Sequence, residues 1–147
     1  PVKSGRGAAF WRAARQQRGG SAVSIGKILV CDDDRNICEL LRLYLEKDGY
    51  TVSIANDGEE ALAKFTAEAP DLILLDIMMP KLDGIAATKA IRDMERPDAV
   101  EIPIIAMTAN AFEEDARKCV EAGMNAHLSK PLQMDVVVGT IAQYYKR

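Results

Sequence analysis

The stretch KILVCDDD, residues 27–34, joins an unbroken apolar run of strand length to three consecutive aspartates. Two later runs, DLILL (71–75) and IPIIAM (102–107), are also continuously apolar. Strands that are buried on both faces have this character, because helices cover both sides of a parallel sheet. The run at 27–31 is therefore predicted to be a buried strand, with the aspartates directly after it.

Strand and helix patterns alternate along the remaining sequence. The strands YTVSIA (50–55) and AHLS (126–129) bring the number of strands to five, and a helical pattern follows each of them. The five helices are predicted to end at Gly49, to span 58–69, to run from about Ile85 to Met94, to end at Gly123, and to run from Gln133 to Tyr145. Such alternation predicts an α/β fold with a parallel sheet and helices on both faces.

The charge of the chain is unevenly distributed. Residues 1–27 carry six of the 19 basic residues and no acid, which leaves 13 basic and 22 acidic residues in 28–147. We expect residues 1–26 to be a flexible basic tail or linker and 27–147 to form one domain, because GGSAVSIG (19–26) is typical of linkers. The start at Pro1 is expected of a fragment or processed chain. The acidic body is not expected to bind nucleic acid directly.

The cysteines and the hydropathy point to a reducing compartment. The three cysteines form no CxxC motif and lie within apolar patterns; they are Cys31, Cys38 and Cys119. This favours buried, reduced thiols in a cytoplasmic protein over a disulfide or a zinc site. No apolar stretch approaches the roughly 18 residues that a membrane span needs, so no membrane insertion is expected within this chain.

Polar side chains that follow four of the strands are expected to meet, because ligands bind at the carboxyl ends of parallel strands. They are Asp32, Asp33 and Asp34 after the first strand, Asp76 after the third, Thr108 after the fourth and Lys130 after the fifth. Taken alone, each is better interpreted without a site, Asp34 and Thr108 as helix caps and Lys130 as a solvated cation. Their order after successive strands favours a site.

The chemistry of these residues indicates phosphoryl transfer. Mg²⁺ prefers oxygen ligands and binds through a few carboxylates together with phosphate oxygens, which suits Asp32, Asp33 and Asp76. A carboxylate is also a nucleophile toward phosphorus, and Asp76 is the best candidate because it stands by itself after its strand. The Lys130 ammonium and the Thr108 hydroxyl can contact phosphoryl oxygens. The sequence contains neither GxxxxGK[ST] nor GxGxxG, so ATP is not the expected substrate.

Four ordered motifs, KILVCDDD, LILLDIMMPKLDG, IIAMTANA and AGMNAHLSKPL, resemble the receiver domain of two-component response regulators over about residues 27–147. The resemblance implies a flavodoxin-like (βα)₅ fold with strand order 2-1-3-4-5. It also implies phosphorylation of Asp76 by a histidine kinase or a histidine phosphotransfer protein. Mg²⁺ is the implied cofactor, with Asp33 as a direct ligand and Asp32 acting mostly through water. Asp76 and the backbone carbonyl of Met78 complete the implied protein ligands.

The same resemblance assigns a conformational switch. Thr108 and Lys130 match the phosphate-sensing pair of the family, and Lys130–Pro131 matches its usual cis peptide bond. His127 stands where the family commonly has Tyr or Phe. Phosphorylation is expected to draw Thr108 toward the phosphate, and His127 is expected to reorient into the space that Thr108 leaves.

Phosphoryl lifetime in this family depends on the positions of Met78 and Asn110, which border the attacking water. The Met78 side chain cannot orient water and Asn110 does so weakly, so slow to moderate self-dephosphorylation is expected rather than turnover catalysis. The stretch 104–131 is most similar to receivers fused to hybrid histidine kinases. A homodimer through the last helix is a further hypothesis.

Two other function classes stay open. A haloacid-dehalogenase-type phosphatase also uses an aspartate nucleophile and Mg²⁺, and DDDRN (32–36) loosely fits its DxDx[TV] opening, although Asn36 breaks the motif. A pseudo-receiver would bind a protein partner without phosphorylation, but the complete set of acids, hydroxyl and lysine argues against it. An EF-hand loop is excluded because Ile37 stands where that loop needs glycine.

Overall fold

The computed structural model of this protein describes residues 25–109 and 113–145, except for the side chains of 113–115. The predicted tail, residues 1–26, therefore lies outside the described residues apart from its last two positions. Within the described ranges, no helix has the length and apolar character needed to cross a membrane.

The five predicted strands are present and form one parallel sheet. They are β1 (Gly26–Cys31), β2 (Tyr50–Ala55), β3 (Leu72–Asp76), β4 (Ile104–Thr108) and β5 (Ala126–Ser129). Their order in the sheet is β2-β1-β3-β4-β5, and all four pairings are parallel. The α/β fold with order 2-1-3-4-5 is confirmed.

The described residues form six helices where the sequence predicted five. They are α1 (Arg35–Lys47), α2 (Gly58–Glu68), α3 (Gly84–Arg92), α4 (Pro97–Glu101), α5 (Glu113–Ala122) and α6 (Met134–Tyr145). The unpredicted helix, α4, has five residues and begins with proline at its first position, so it is too short to show helical periodicity.

The strand boundaries differ from the prediction by one or two residues. Asp76 and Thr108 are the last residues of β3 and β4 rather than the residues that follow them. The fourth strand begins at Ile104 instead of 102, because Pro103 has no N–H for the ladder and contributes only its carbonyl, which accepts from the Ile73 N–H. The backbones of Asp76 and Thr108 are therefore held in position because these residues belong to strands of the sheet.

Two apolar cores cover the two faces of the sheet. On one face α1 and α6 pack against alternate strand residues; this core includes Ile28, Val30, Cys38, Leu41, Leu45, Leu74, Ile105, Val137 and Ile141. On the other face lie α2, α3, α4 and α5; this core includes Leu29, Cys31, Phe65, Leu75, Ala87, Ile91, Ala99, Ile104 and Cys119. The predicted burial of the central strands on both faces is confirmed. All three cysteines are buried, as expected.

Arg92 fastens the unpredicted helix to the rest of the domain. Its guanidinium donates to the carbonyls of Ala99 and Val100 in α4, at 3.0 and 3.2 Å. The same group donates to the Gly123 carbonyl at 3.0 and 2.8 Å and to Asn125 Oδ1 at 3.0 Å. Because Arg92 ends α3, one side chain joins α3, α4 and the segment between α5 and β5.

We expect Arg92→Met to lower the free energy of unfolding by about 1–3 kcal/mol, because it leaves several carbonyls without a charged donor while keeping an apolar stem. Arg42→Met is the matched control, since the half-buried Arg42 makes one long ion pair, 3.7 Å to Glu39, and no hydrogen bond to a backbone carbonyl is seen for it among the described residues. Urea unfolding of both variants checks this. Equal stability of the two variants would contradict the anchoring role of Arg92.

Candidate functional site

Three carboxylates meet at the carboxyl edge of the sheet. Asp32 and Asp33 follow β1, and Asp76 ends the neighbouring strand β3. One ligand oxygen from each lies within 4.8 Å of the other two. Asp32 is 0% and Asp76 is 3% exposed, whereas Asp33 is exposed. The cluster therefore has a buried floor and one carboxylate at its mouth.

Lys130 supplies the positive charge that faces the buried carboxylates. Its Nζ lies 3.0 Å from Asp32 Oδ2 and 3.5 Å from Asp76 Oδ2. The residue directly follows β5, and its N–H donates to the Thr108 carbonyl at 2.8 Å. The Lys130–Pro131 peptide bond is cis. The side chain thus reaches from beyond β5 to acids on β1 and β3, passing the end of β4.

Asp34 belongs to the helix and not to the carboxylate cluster. Its Oδ1 accepts from the N–H groups of Asn36 and Ile37 at 2.9 and 3.4 Å, so it caps α1. Its own N–H donates to Asp32 Oδ1 at 2.9 Å. The interpretation of Asp34 as a helix cap is confirmed, and this cap also helps to orient Asp32.

The electrostatics of Asp76 follow from its burial. Its pKa is raised from 3.8 to about 6, chiefly because burial disfavours the charged form. The Asp32 carboxylate also raises this pKa, while the Met78 N–H, which donates to Asp76 Oδ1 at 3.1 Å, and the Lys130 ammonium lower it. Burial lowers the pKa of Lys130, but its contacts with Asp32 and Asp76 outweigh burial and raise it. Lys130 is therefore a firmly charged partner.

Of the remaining predicted site residues, one is buried, two are exposed and one lies outside the described residues. Thr108 is buried at the end of β4, where its neighbour Met107 is in register with Asp76. His127 is exposed on β5 and in register with Ala106. The Met78 side chain is 72% exposed. Asn110 lies outside the described residues.

The carboxylate cluster has the chemistry of a site for a hard divalent cation. Asp32, Asp33 and Asp76 offer only oxygen ligands, and exposed Asp33 leaves one side open to water, as Mg²⁺ sites commonly are. Among the described residues, the cluster contains three carboxylates, and Lys130 pairs with two of them, Asp32 and Asp76. An added divalent cation would balance this excess of negative charge.

One contributor to the site was not identified from the sequence. Asn56 Nδ2 donates to the Asp32 carbonyl at 2.9 Å. The site expected from the sequence gathers residues that follow the first, third, fourth and fifth strands, and Asn56 follows the second. Its position directly after β2, beside β1, was the available signal.

Comparison with known proteins identifies the family that these motifs resemble. The family model of the response regulator receiver domain matches residues 28–142. The chain is 46% identical over 105 residues to the alkaline phosphatase synthesis transcriptional regulatory protein PhoP of Bacillus subtilis, covering 71% of this chain and 42% of that protein. It is 39% identical over 120 residues to the sensor histidine kinase RcsC of Salmonella typhimurium, covering 82% and 12%. The chain thus spans less than half the length of these two relatives.

Solved structures show the same architecture. The receiver domain of the sensor histidine kinase PA1611 of Pseudomonas aeruginosa, described with a magnesium ion coordinated in its active site cleft, superposes with a TM-score of 0.76 at 33% identity. That match covers 83% of this chain and 98% of the other. The chemotaxis response regulator CheY4 of Vibrio cholerae gives a TM-score of 0.78 at 29% identity, covering 82% and 99%.

We expect Asp76→Asn to raise the free energy of unfolding by about 1–2 kcal/mol at pH 7.5 without divalent cations, since it removes a buried charge whose pKa is raised. The folded pKa is about 6 and the ordinary value is 3.8. The cost of the charge is therefore absent below about pH 4, grows between pH 4 and 6, and is constant above. Urea unfolding at pH 4 and 7.5 measures the difference between the proteins, with Asp34→Asn as the exposed control. An Asp76→Asn protein less stable than the wild type at pH 7.5 would contradict this.

Proposed function

The chain belongs to the response regulator receiver domain family, and on that premise we propose that Asp76 accepts a phosphoryl group from the phosphohistidine of a histidine kinase or a histidine phosphotransfer protein. The observation that carries the proposal is the buried contact of Lys130 with both Asp32 and Asp76. A lysine that bridges two buried acids at an open strand edge is well placed to receive further negative charge.

The chemical step requires little of the protein beyond positioning and charge. A carboxylate oxygen of Asp76 forms a bond to phosphorus while the bond between phosphorus and the donor imidazole nitrogen breaks, and the electron pair returns to that nitrogen. With a pKa of about 6, Asp76 is mostly ionised at neutral pH and needs no general base. The Met78 N–H holds one of its oxygens, which restricts rotation of the nucleophile. Lys130 and Thr108 are proposed to contact the phosphoryl oxygens.

We assign the metal ligands to Asp32, Asp33, Asp76 and the Met78 carbonyl, with Asp32 acting mostly through water. When bound there, Mg²⁺ would supply positive charge toward the phosphoryl oxygens. The oxygen-only cluster within 4.8 Å supports this assignment, as does the magnesium ion described for the PA1611 receiver. Asp33 is the best direct ligand because it is the exposed member of the cluster.

The proposed switch couples the site to β5. Thr108 shares a backbone hydrogen bond with Lys130 and is in register with Ser129, so a movement of Thr108 toward the phosphate bears directly on β5. His127 lies two residues before Ser129 with an exposed side chain, and is proposed to turn inward when Thr108 moves. Phosphorylation is thus read out as a change in the surface of β5.

We also propose a location, a parent protein and an oligomeric state for the chain. A cytoplasmic location agrees with the burial of the three cysteines in the apolar cores. A place within a hybrid histidine kinase is suggested by similarity to one segment of RcsC, while similarity to PhoP points to a transcriptional regulator. We propose further that two copies of the chain form a homodimer through α6. Direct binding to nucleic acid by this acidic domain is not proposed.

Phosphotransfer from a ³²P-labelled histidine phosphotransfer protein tests the central proposal. We expect Mg²⁺-dependent labelling of the wild type, no labelling of Asp76→Asn, and normal labelling of Asp34→Asn, whose helix-capping position accepts either side chain. Labelling of Asp76→Asn would refute the assignment of the phosphoacceptor. A wild-type protein that neither binds Mg²⁺ nor becomes labelled would instead support the pseudo-receiver, and steady turnover of small phosphoesters would support the phosphatase.

We expect the phosphoryl group to be lost at a slow to moderate rate once formed, because the exposed Met78 side chain cannot orient an attacking water and Asn110 does so weakly. Following the loss of label after removal of the donor gives the half-life. Met78→Gln, which adds a hydrogen-bonding amide on a similar stem, is expected to shorten it. A wild-type half-life of seconds would contradict this expectation.

A further inference from the structure

We propose that the turn Asn56–Asp57–Gly58, which offers no ligand to the carboxylate cluster, is a positioning element that holds the two loops of the site in mutual register. One loop carries Asp32 and Asp33 after β1. The other is the β3–α3 loop, residues 77–83, which carries Met78. The inference rests on the proposed function of the same site, and it concerns residues that this function does not otherwise use.

Ala55 and Asn56 hold both backbone polar groups of Asp32 by hydrogen bonds. The Asp32 N–H donates to the Ala55 carbonyl at 3.0 Å, and Asn56 Nδ2 donates to the Asp32 carbonyl at 2.9 Å. The Cys38 thiol contacts the same carbonyl at 3.2 Å. Because the Asp32 carbonyl belongs to the peptide that leads into Asp33, the Asn56 amide sets the direction in which both carboxylates leave the backbone.

Gly58 positions the second loop by close packing. A Cβ at Gly58 would lie 1.9 Å from the Leu82 carbonyl oxygen and 2.5 Å from Leu82 Cβ, distances that real contacts do not reach. The neighbouring Asp57 carboxylate also lies 3.7 Å from the Lys81 Nζ, so two residues of the turn contact the loop. The loop therefore rests directly on the first turn of α2.

The β3–α3 loop has little freedom to absorb a displacement at Leu82. Its far end is closed by the Gly84 N–H, which donates to the Ile77 carbonyl at 3.2 Å. A Cβ at Gly84 would also lie 2.4 Å from the Asp76 carbonyl oxygen. A shift of Leu82 is therefore expected to reach Met78, whose N–H holds Asp76.

The turn is rigid enough for this role. Asp57 caps α2 by accepting from the Glu60 N–H at 2.8 Å, and Glu60 Oε1 accepts from the Asn56 N–H at 2.8 Å. These two reciprocal hydrogen bonds resemble a capping box and bind the turn to the helix. The three residues consequently move with α2 as one body, which packs on the sheet through buried Phe65.

The test compares Asn56→Ala and Gly58→Ala with two controls in the full chain. Gly139→Ala makes the same change at a helical glycine with no neighbour within 4 Å of the new Cβ. Thr66→Ala removes an exposed hydrogen bond of 2.9 Å to Leu62 within α2. Calorimetric titration with Mg²⁺ alone gives the dissociation constant. Amide NMR signals of Asp34 and Met78 in the metal-free protein report the hydrogen bonds to Asp32 and Asp76.

We expect each turn variant to weaken Mg²⁺ binding by about 10-fold or more, the usual effect of removing support from metal ligands. Asn56→Ala should shift the Asp34 amide signal and Gly58→Ala the Met78 signal, while both controls bind like the wild type. If Gly58→Ala does not fold, Asn56→Ala, which adds no atoms, decides the matter. Wild-type affinity in the folded turn variants overturns the positioning role. A wild type that does not bind Mg²⁺ refutes the proposed metal site instead.

Discussion

Two buried carboxylates and one ammonium group form the constraint on which this site depends. Asp32 and Asp76 lie at the ends of adjacent strands and are almost fully removed from water. Charges in such surroundings are costly unless they are paired, because the interior screens them poorly. Lys130 pairs with both, and its side chain extends past the end of β4 to reach them from the edge strand β5. The order of the strands therefore determines which charges are paired at the site.

The opposite edge of the same strands shows what a satisfied arrangement looks like. There the Lys27 N–H donates to Asp71 Oδ2 at 2.8 Å, and the Asp71 N–H donates to the Lys27 carbonyl at 2.8 Å. The Lys27 ammonium lies 3.0 Å from Glu68. Burial raises the pKa of Glu68, but hydrogen bonds from Lys27 and Ser53 and the charges of Lys27 and Lys64 together outweigh burial and lower it. At this edge Lys27 serves both acids, Asp71 through its N–H and Glu68 through its ammonium group. Among the described residues at the other edge, the two buried acids share the single ammonium group of Lys130, and Asp33 adds a third carboxylate. The excess of negative charge marks the functional edge.

The sequence predicted the sheet and most of the site because both depend on local patterns. Unbroken apolar runs identify buried strands, and the polar residues that follow them must share an edge when the strands are parallel. The strand order itself came from the resemblance to receivers, since alternation of strands and helices is compatible with several orders. The helix α4 was missed because five residues carry no periodicity. Asn56 and Gly58 were missed because their roles are contacts with Asp32 and Leu82, distant in sequence, and such contacts depend on side-chain direction and backbone proximity.

Both ends of the described chain lie at the edge of the sheet away from the carboxylates. The Ile25 N–H donates to the Gly49 carbonyl, and the Tyr145 hydroxyl contacts the Ile25 carbonyl, so α6 finishes beside the start of β1. The six residues of β1 separate this point from the carboxylate cluster by about 20 Å at the usual rise per residue. Ile25 and Tyr145 therefore lie on the far side of the sheet from Asp32, Asp33 and Asp76. Within the described residues, the backbone therefore enters and leaves the domain on one side, while the carboxylate cluster occupies the other.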